Sequence, residues 1–176
     1  LSFLLENLAK PVVFTGSQIP IGVLRTDGRE NLMTAIEIAS ARIGGHPAVP
    51  EVSLYFQNCL FRANRTTKRS SEDLSAFWSY NYPALADVGV NITYQTEYIL
   101  QPKNYDEPLR IATHLSGGIA IVKLFPGIEE RTLRTMLSAE GLKGVVLETF
   151  GSGNAPTSEW FIHVLEEAIG RGLIIL

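Results

Sequence analysis

The chain is short of the residues that staple a fold or hold a metal. Cys59 is its one cysteine, so no internal disulfide can form, a usage that fits a reducing compartment. The three histidines, His46, His114 and His163, are scattered, with no cysteine or carboxylate at ligand spacing. That pattern argues against a metal site. Positive charge is not in excess either: 15 Lys and Arg against 18 Asp and Glu give a net charge of −3. No broad electrostatic footprint for nucleic acid or an anionic membrane follows from such a balance. No apolar run approaches a membrane span, and no basic segment precedes an apolar run with a small-residue cleavage site. Internal repeats and low-complexity segments are absent too. What remains is 45% hydrophobic and 19% charged residues over 176 positions, an ordinary globular composition with room for one domain or two partial ones.

The two ends read as core elements. Leu1-Ser2-Phe3-Leu4-Leu5-Glu6-Asn7-Leu8 has the spacing of an amphipathic helix already under way. Leu173-Ile174-Ile175-Leu176 reads as a buried strand. Together they predict an internal piece of a longer chain. Between them strands and helices alternate. Pro11-Val12-Val13-Phe14-Thr15 is a strand, with Gly16-Ser17-Gln18 as the turn at its carboxyl end. Asp27 reads as the N-cap of the next helix, with Glu30 completing a capping box. Leu32, Ala35, Ile36 and Ala39 make that helix's buried face, and Gly44-Gly45 stops it. Residues 52–56 return as a strand, Ser70 or Ser71 caps a short helix over Leu74, Phe77 and Trp78, and residues 89–94 form a short strand. Residues 101–108 carry two prolines and no periodicity, which marks a linker. Beyond it the pattern begins again: strands over 109–113, 119–125 and 145–150, helices over 129–138 and 158–170. The expected class is α/β, in two layers with mostly parallel sheets flanked by helices.

The stretch most open to a chemical reading is Leu60-Phe61-Arg62-Ala63-Asn64-Arg65-Thr66-Thr67-Lys68-Arg69-Ser70, with four cations inside eight residues. Arg62 and Lys68 lie six apart, so a strand continuing that far points both to one face. Such a run serves either as a solvated edge that discourages strand pairing, or as a setting that brings a lysine beside threonines, where burial makes it a catalytic amine. Gly16-Ser17-Gln18 follows an apolar strand, the usual place for a ligand in an open α/β sheet. There a serine and an amide suit a small polar ligand. Gly151-Ser152-Gly153-Asn154-Ala155-Pro156 stands between a strand and a helix, but Pro156 occupies the sixth position of a dinucleotide fingerprint, so a tight βα turn explains it. Ser116-Gly117-Gly118 has no nucleophile elbow around it and reads as a hairpin turn between two strands.

Read in order, several of these segments resemble the L-asparaginase family, and closely its cytoplasmic type I branch. They are residues 1–8, Pro11-Val12-Val13-Phe14-Thr15-Gly16-Ser17-Gln18, and Leu24-Arg25-Thr26-Asp27-Gly28 with Asn31-Leu32. Arg62-Ala63-Asn64-Arg65-Thr66-Thr67-Lys68 and Gly151-Ser152-Gly153-Asn154-Ala155-Pro156 complete the series. The resemblance divides the chain into 1–100, the second part of the N-terminal asparaginase domain, a linker at 101–108, and 109–176, the first part of the C-terminal domain. It implies hydrolysis of the L-asparagine side-chain amide to aspartate and ammonia, through a threonine acyl-enzyme, with no metal and no organic cofactor. Lys68 matches the family's catalytic lysine, grouped there with a threonine and an aspartate. Ser17 matches the position that contacts the substrate amide through its backbone carbonyl, with Gln18 beside it. Asn154 lies in the turn that reaches a neighbouring subunit's site. A homodimer or homotetramer in the cytoplasm is implied, with no nucleic-acid or membrane partner.

The departures are as informative. The family's Thr-Gly-Gly-Thr turn and its His-Gly-Thr-Asp-Thr motif are both missing from the chain. The nucleophile and the groups that bind the substrate carboxylate are therefore not among these residues, and the 176-residue polypeptide alone is expected to be inactive. Some type I enzymes bind asparagine at a second, allosteric site through an arginine in the strand before the glycine turn. Glu148 stands there, and its carboxylate repels the effector's, so that control is expected to be lacking. Two other readings stay open. One is an ammonia-releasing subunit of a tRNA-dependent amidotransferase; the other is a non-enzymatic α/β module that holds a small polar ligand.

Overall fold

The structure is a computed structural model that describes residues 1–176. It divides into two compact units, Leu1–Thr113 and His114–Leu176. The first contains β1 (Leu5–Glu6), β2 (Val12–Phe14), α1 (Gly28–Ser40), β3 (Arg42–Ile43), β4 (His46–Pro47), β5 (Val52–Phe56) and β6 (Cys59–Arg62). It continues with β7 (Thr67–Lys68), β8 (Phe77–Trp78), β9 (Ala86–Val88), β10 (Ile92–Tyr94) and β11 (Arg110–Ile111).

The apolar run of β5 is the middle of this unit. Its sheet has the order β10-β9-β6-β5-β2, and the β2–β5 pair is its parallel pair, Val12 opposite Val52. Parallel neighbours need a crossover, which α1 supplies by laying Ala35 and Ile38 into a core with Val49, Tyr55, Leu60, Leu85 and Ile99. The other three pairings are antiparallel, so the expectation of mostly parallel sheets fails in this unit, where β6, β9 and β10 follow by short turns rather than helical crossovers. β5 and β6 close through Gln57 and Asn58, both left-handed at φ 37° and 67°.

Several expectations are corrected here. Residues 1–8 are not a helix: the Leu4 and Leu5 N–H groups donate to Leu1 O in a single turn, and Leu5–Glu6 then pairs with Arg110–Ile111. A short helix has little stability of its own, so the ladder wins. The buried face of α1 is Gly28, Asn31, Ala35 and Ile38, while Leu32 and Ile36 stay exposed. Counting apolar residues selected the wrong stripe, because a polar Asn31 goes inside when its hydrogen bonds are met. Gly44 and Gly45, both at positive φ, turn the β3–β4 hairpin rather than end α1, which stops at Ser40. No helix forms over Leu74, Phe77 and Trp78. Ser70 Oγ does accept the N–H groups of Glu72 and Asp73 at 3.1 and 3.0 Å in a capping geometry, but Phe77–Trp78 extends as a strand against Thr67–Lys68. Of residues 89–94, the strand takes Ile92–Tyr94 and the rest turn back to β9.

The second unit contains β12 (Ile119–Lys123), α2 (Glu130–Leu137), β13 (Gly144–Glu148), α3 (Glu159–Gly170) and β14 (Ile174–Ile175). Its sheet is wholly parallel, β12-β13-β14. One face packs Val122 and Val145 with Leu133 and Leu137 of α2 and Phe161, Val164 and Ala168 of α3. The pleat turns Ile119, Ile121, Val146 and Ile174 to the other face, where they are exposed. Residues 116–118 are not a hairpin turn, because the strands on either side pair elsewhere. Gly118 instead lies so close to Gly141 that a Cβ there would meet its carbonyl oxygen at 2.6 Å. No helix of either unit is long and apolar enough to cross a membrane.

Candidate active site

In the first unit, β2 ends at Phe14 and the chain turns sharply through residues 15–19. What holds that turn is the start of α1. Both oxygens of Asp27 accept the Gln18 N–H, at 3.1 and 3.0 Å, and Oδ1 also accepts that of Ile19 at 2.9 Å. The capping box is therefore absent: Asp27 occupies the N-cap position but makes no side-chain cap bond. Thr26 does part of that work, since its Oγ1 accepts the Gly28 N–H at 3.0 Å and donates to Ile19 O at 2.8 Å. Partial burial pushes the Asp27 carboxyl up, but the bonds from Ile19, Gln18, its own N–H and Asn31 outweigh it. The net result lies below the ordinary carboxylate value. Gly28 makes room for this arrangement, because a Cβ there would stand 3.1 Å from the Ser17 Cβ.

Asn31 is the second fastening. Its Nδ2 donates to Gly16 O at 2.9 Å and to Asp27 Oδ2 at 3.1 Å, and its Oδ1 accepts the Gln57 N–H at 3.2 Å. One buried amide thus ties the turn after β2 to the β5–β6 turn. The Gln18 side chain reaches further, donating from Nε2 to Asp73 O at 2.9 Å. Ser17 itself is exposed.

The cation-rich stretch is not one strand. β6 ends at Arg62, a 3-10 turn takes Ala63–Arg65, and a new strand begins at Thr67. Arg62 and Lys68 therefore do not share the face of a continuous strand, and they have different surroundings. Arg62 is 8% exposed. Its Nε and Nη2 donate to the two oxygens of Glu51 at 2.6 and 3.1 Å, and Nη2 also donates to Tyr98 O at 2.8 Å. The guanidinium lies 4.2 Å from the Tyr82 ring centroid. Burial pulls the Arg62 pKa down, but the Glu51 hydrogen bond and charge, with Tyr82, carry it above the ordinary value. Lys68 is exposed, on the short β7 strand opposite Phe77, so the burial expected to make it a catalytic amine is not supplied by these residues. Phe77 packs on Phe56 with ring centroids 5.0 Å apart, which anchors the β7–β8 hairpin to the main sheet.

One hydrogen bond thus links Gln18, the neighbour of Ser17, to Asp73 in the loop that joins β7 to β8; Ser17 and Lys68 themselves make no side-chain bond to each other. Asn154 lies in the second unit, exposed in a turn closed by Phe150 N–H to Asn154 O at 2.9 Å and Gly153 N–H to Phe150 O at 2.8 Å. Glu148, at the end of β13, accepts from Lys123 Nζ at 2.9 Å. Cys59 is a poor nucleophile, because burial and the nearby Asp87 raise its thiol pKa. No group of three or more His, Cys, Asp or Glu side chains gathers where it could hold a metal. Sequence reasoning missed Asn31 as a site residue and misread what the Asp27 side chain holds. The available signal was an amide four residues after an aspartate on a helix, a spacing that puts both on one face.

Residues 1–100 match the family described as Asparaginase, N-terminal, and residues 118–176 the Glutaminase/Asparaginase C-terminal domain. The chain is 46% identical to the 60 kDa lysophospholipase of Mus musculus over 176 residues, all of this chain and 30% of that protein. It is 38% identical to L-asparaginase 1 of Escherichia coli K12 over 177 aligned positions, again all of this chain and 50% of that protein. Among solved structures, L-asparaginase I from Vibrio cholerae superposes with a TM-score of 0.83 at 36% identity, covering 98% of this chain and 50% of that one. The chain therefore spans between 30% and 50% of the length of these relatives.

Proposed function

The chain belongs to the asparaginase family, and on that footing we propose that it is part of an L-asparagine amidohydrolase in which Lys68 is a catalytic partner. The observation that carries the reading is the bond from Gln18 to Asp73. It ties the turn that presents Ser17 to the loop of the hairpin that carries Lys68, which supports assigning both residues to one site. The attacking hydroxyl belongs to a threonine outside this chain. Its oxygen bonds to the amide carbon as its proton is taken up, the C–N bond breaks, and the nitrogen leaves as ammonia after receiving that proton. Water then cleaves the ester to aspartate and regenerates the hydroxyl. An alcohol is a weak nucleophile until its proton is taken, and an amine on the Lys68 hairpin is suited to accept it. The Ser17 carbonyl accepts from the substrate amide, and Asn154 completes the site of a neighbouring subunit in a cytoplasmic homodimer or homotetramer.

Both threonine motifs of the family are missing from residues 1–176. The 176-residue polypeptide is expected to release no ammonia from L-asparagine, and one of the relatives' length that carries it to do so. Ammonia released by the short chain would falsify the assignment of the nucleophile to residues outside it. With Glu148 paired to Lys123 where an effector-binding arginine would stand, the rate of the long form should rise hyperbolically with asparagine. A sigmoidal curve contradicts that reading.

A second reading is hydrolysis of a lysophospholipid ester, through the same kind of acyl-enzyme. It is favoured by the loop that follows Ser17, which exposes Ile21, Val23 and Leu24 and so offers apolar surface to an acyl chain. The amide reading is preferred because the Ser17 carbonyl, an acceptor, matches an N–H of an amide and finds no donor on an ester.

A further inference from the structure

Asp27 and Asn31 take no part in the reaction just described, yet between them they hold the polar backbone of the turn that does. The Gln18 and Ile19 N–H groups go to Asp27, and Gly16 O accepts from Asn31. Ile19 O accepts from Thr26. The N–H and C=O of Ser17 take no protein partner, so the groups on either side are fixed while those of Ser17 stay available. The same Asn31 amide accepts from Gln57 N–H, and the Gln57 Oε1 accepts from Ser75 Oγ at 3.3 Å. Ser75 lies in the loop of the Lys68 hairpin, beside the Asp73 carbonyl that Gln18 holds. Two independent routes therefore run from the start of α1 to that loop, one through Gln18 and one through Gln57.

A helix cap explains none of this. The carboxylate accepts no backbone N–H from the first turn of α1; its bond there is to the Asn31 side chain, while Thr26 Oγ1 accepts the Gly28 N–H. Asn31 is 3% exposed and is one of four buried polar or charged residues in the chain. Burying an amide is unfavourable unless its hydrogen bonds are made, and here its three bonds all go to groups that shape the candidate site. An acceptor shared by two N–H groups and an amide that both donates and accepts hold a loop more narrowly than apolar packing, because each bond has a preferred length and angle.

We propose that Asp27 and Asn31 are positioning residues that set the Ser17 turn against the Lys68 hairpin, an inference that rests on the amidohydrolase reading. Asp27→Asn retains the shape of the side chain but replaces the shared anionic acceptor with a single neutral oxygen. Asp27→Glu retains the charge and displaces it by one methylene. In a polypeptide of the relatives' length carrying this chain, either folded variant is expected to lower kcat for L-asparagine about tenfold or more, with KM changed far less. Misplacement by an ångström can cost about a hundredfold, and a shift smaller than that still reaches about tenfold. The two variants serve as alternates should one fail to fold. Near-ultraviolet circular dichroism gives the folded fraction, so that kcat is expressed per folded molecule. Hydrogen exchange at Gln18 and Ile19 should quicken in the same variants.

A folded variant with kcat within twofold of wild type overturns the positioning role. So does a loss that only follows the folded fraction. A wild-type polypeptide that releases no ammonia fails at an earlier point: it overturns the amidohydrolase reading, and the inference with it.

Discussion

Lys68→Met in a polypeptide of the relatives' length is expected to lower asparagine turnover by roughly 10²- to 10⁴-fold, the range a positioned general base supplies. The fold should survive. Lys68 is exposed on the two-residue strand β7 and takes part in no ion pair. Surface substitutions of that kind change stability by about 0.5 kcal/mol or less. Methionine retains much of the side chain's length and removes the amine, so packing against the β7–β8 hairpin is little disturbed. Steady-state kinetics with a thermal melt of the same sample reads both halves of the expectation. Normal turnover by the folded variant would leave the cations of residues 60–70 as a solvated edge and nothing more.

Arg62→Met has the opposite signature, a loss of stability rather than of chemistry. The guanidinium and the Glu51 carboxylate are both buried, joined by two hydrogen bonds. Glu51 Oε1 also accepts the Leu100 N–H at 2.8 Å, and Arg62 reaches Tyr98 O. The pair therefore fastens β5 and β6 to the segment that follows β10. Removing one partner strands a charge in a low dielectric, at a cost of about 3–5 kcal/mol. Arg62→Met should show that loss in urea unfolding, and Arg62→Met with Glu51→Gln should recover part of it, since no charge is then left unpaired. A single variant that loses less than about 1 kcal/mol, against that expectation, would mean that the ion pair does not hold these segments together. The contrast between Arg62 and Lys68 is useful because the two stand in one short stretch and separate stability from catalysis.

The order of elements was legible in the sequence, since strands such as Val52–Phe56 and helices such as Glu159–Gly170 announce themselves by apolar period and by flanking glycine and proline. The Ser17 turn and the Gly153 turn were legible as turns for the same reason. The register of α1 was not, because an apolar count cannot foresee that Asn31 finds three partners in distant segments. Asp27 misled in a related way. Locally its best use is a cap on its own helix, and only the fold brings Gln18 and Ile19 within its reach. Ser70 signals a cap and so predicts a helix that includes Phe77 and Trp78; the capping bonds form, but the pairing of Thr67–Lys68 with Phe77–Trp78 decides the backbone. The division of labour among the cations was likewise a matter of tertiary contact. Arg62 became structural when Glu51, eleven residues earlier, met it across the β5–β6 hairpin.

The most direct measurement is a side-by-side assay of one purified polypeptide of the relatives' length, following ammonia from L-asparagine and fatty acid from a lysophosphatidylcholine. Ammonia release with a hyperbolic dependence on asparagine, lost on Lys68→Met, is expected, with little or no fatty acid. Fatty acid release without ammonia would contradict that expectation, and would move the Ser17 turn and the apolar loop after it from amide to lipid chemistry.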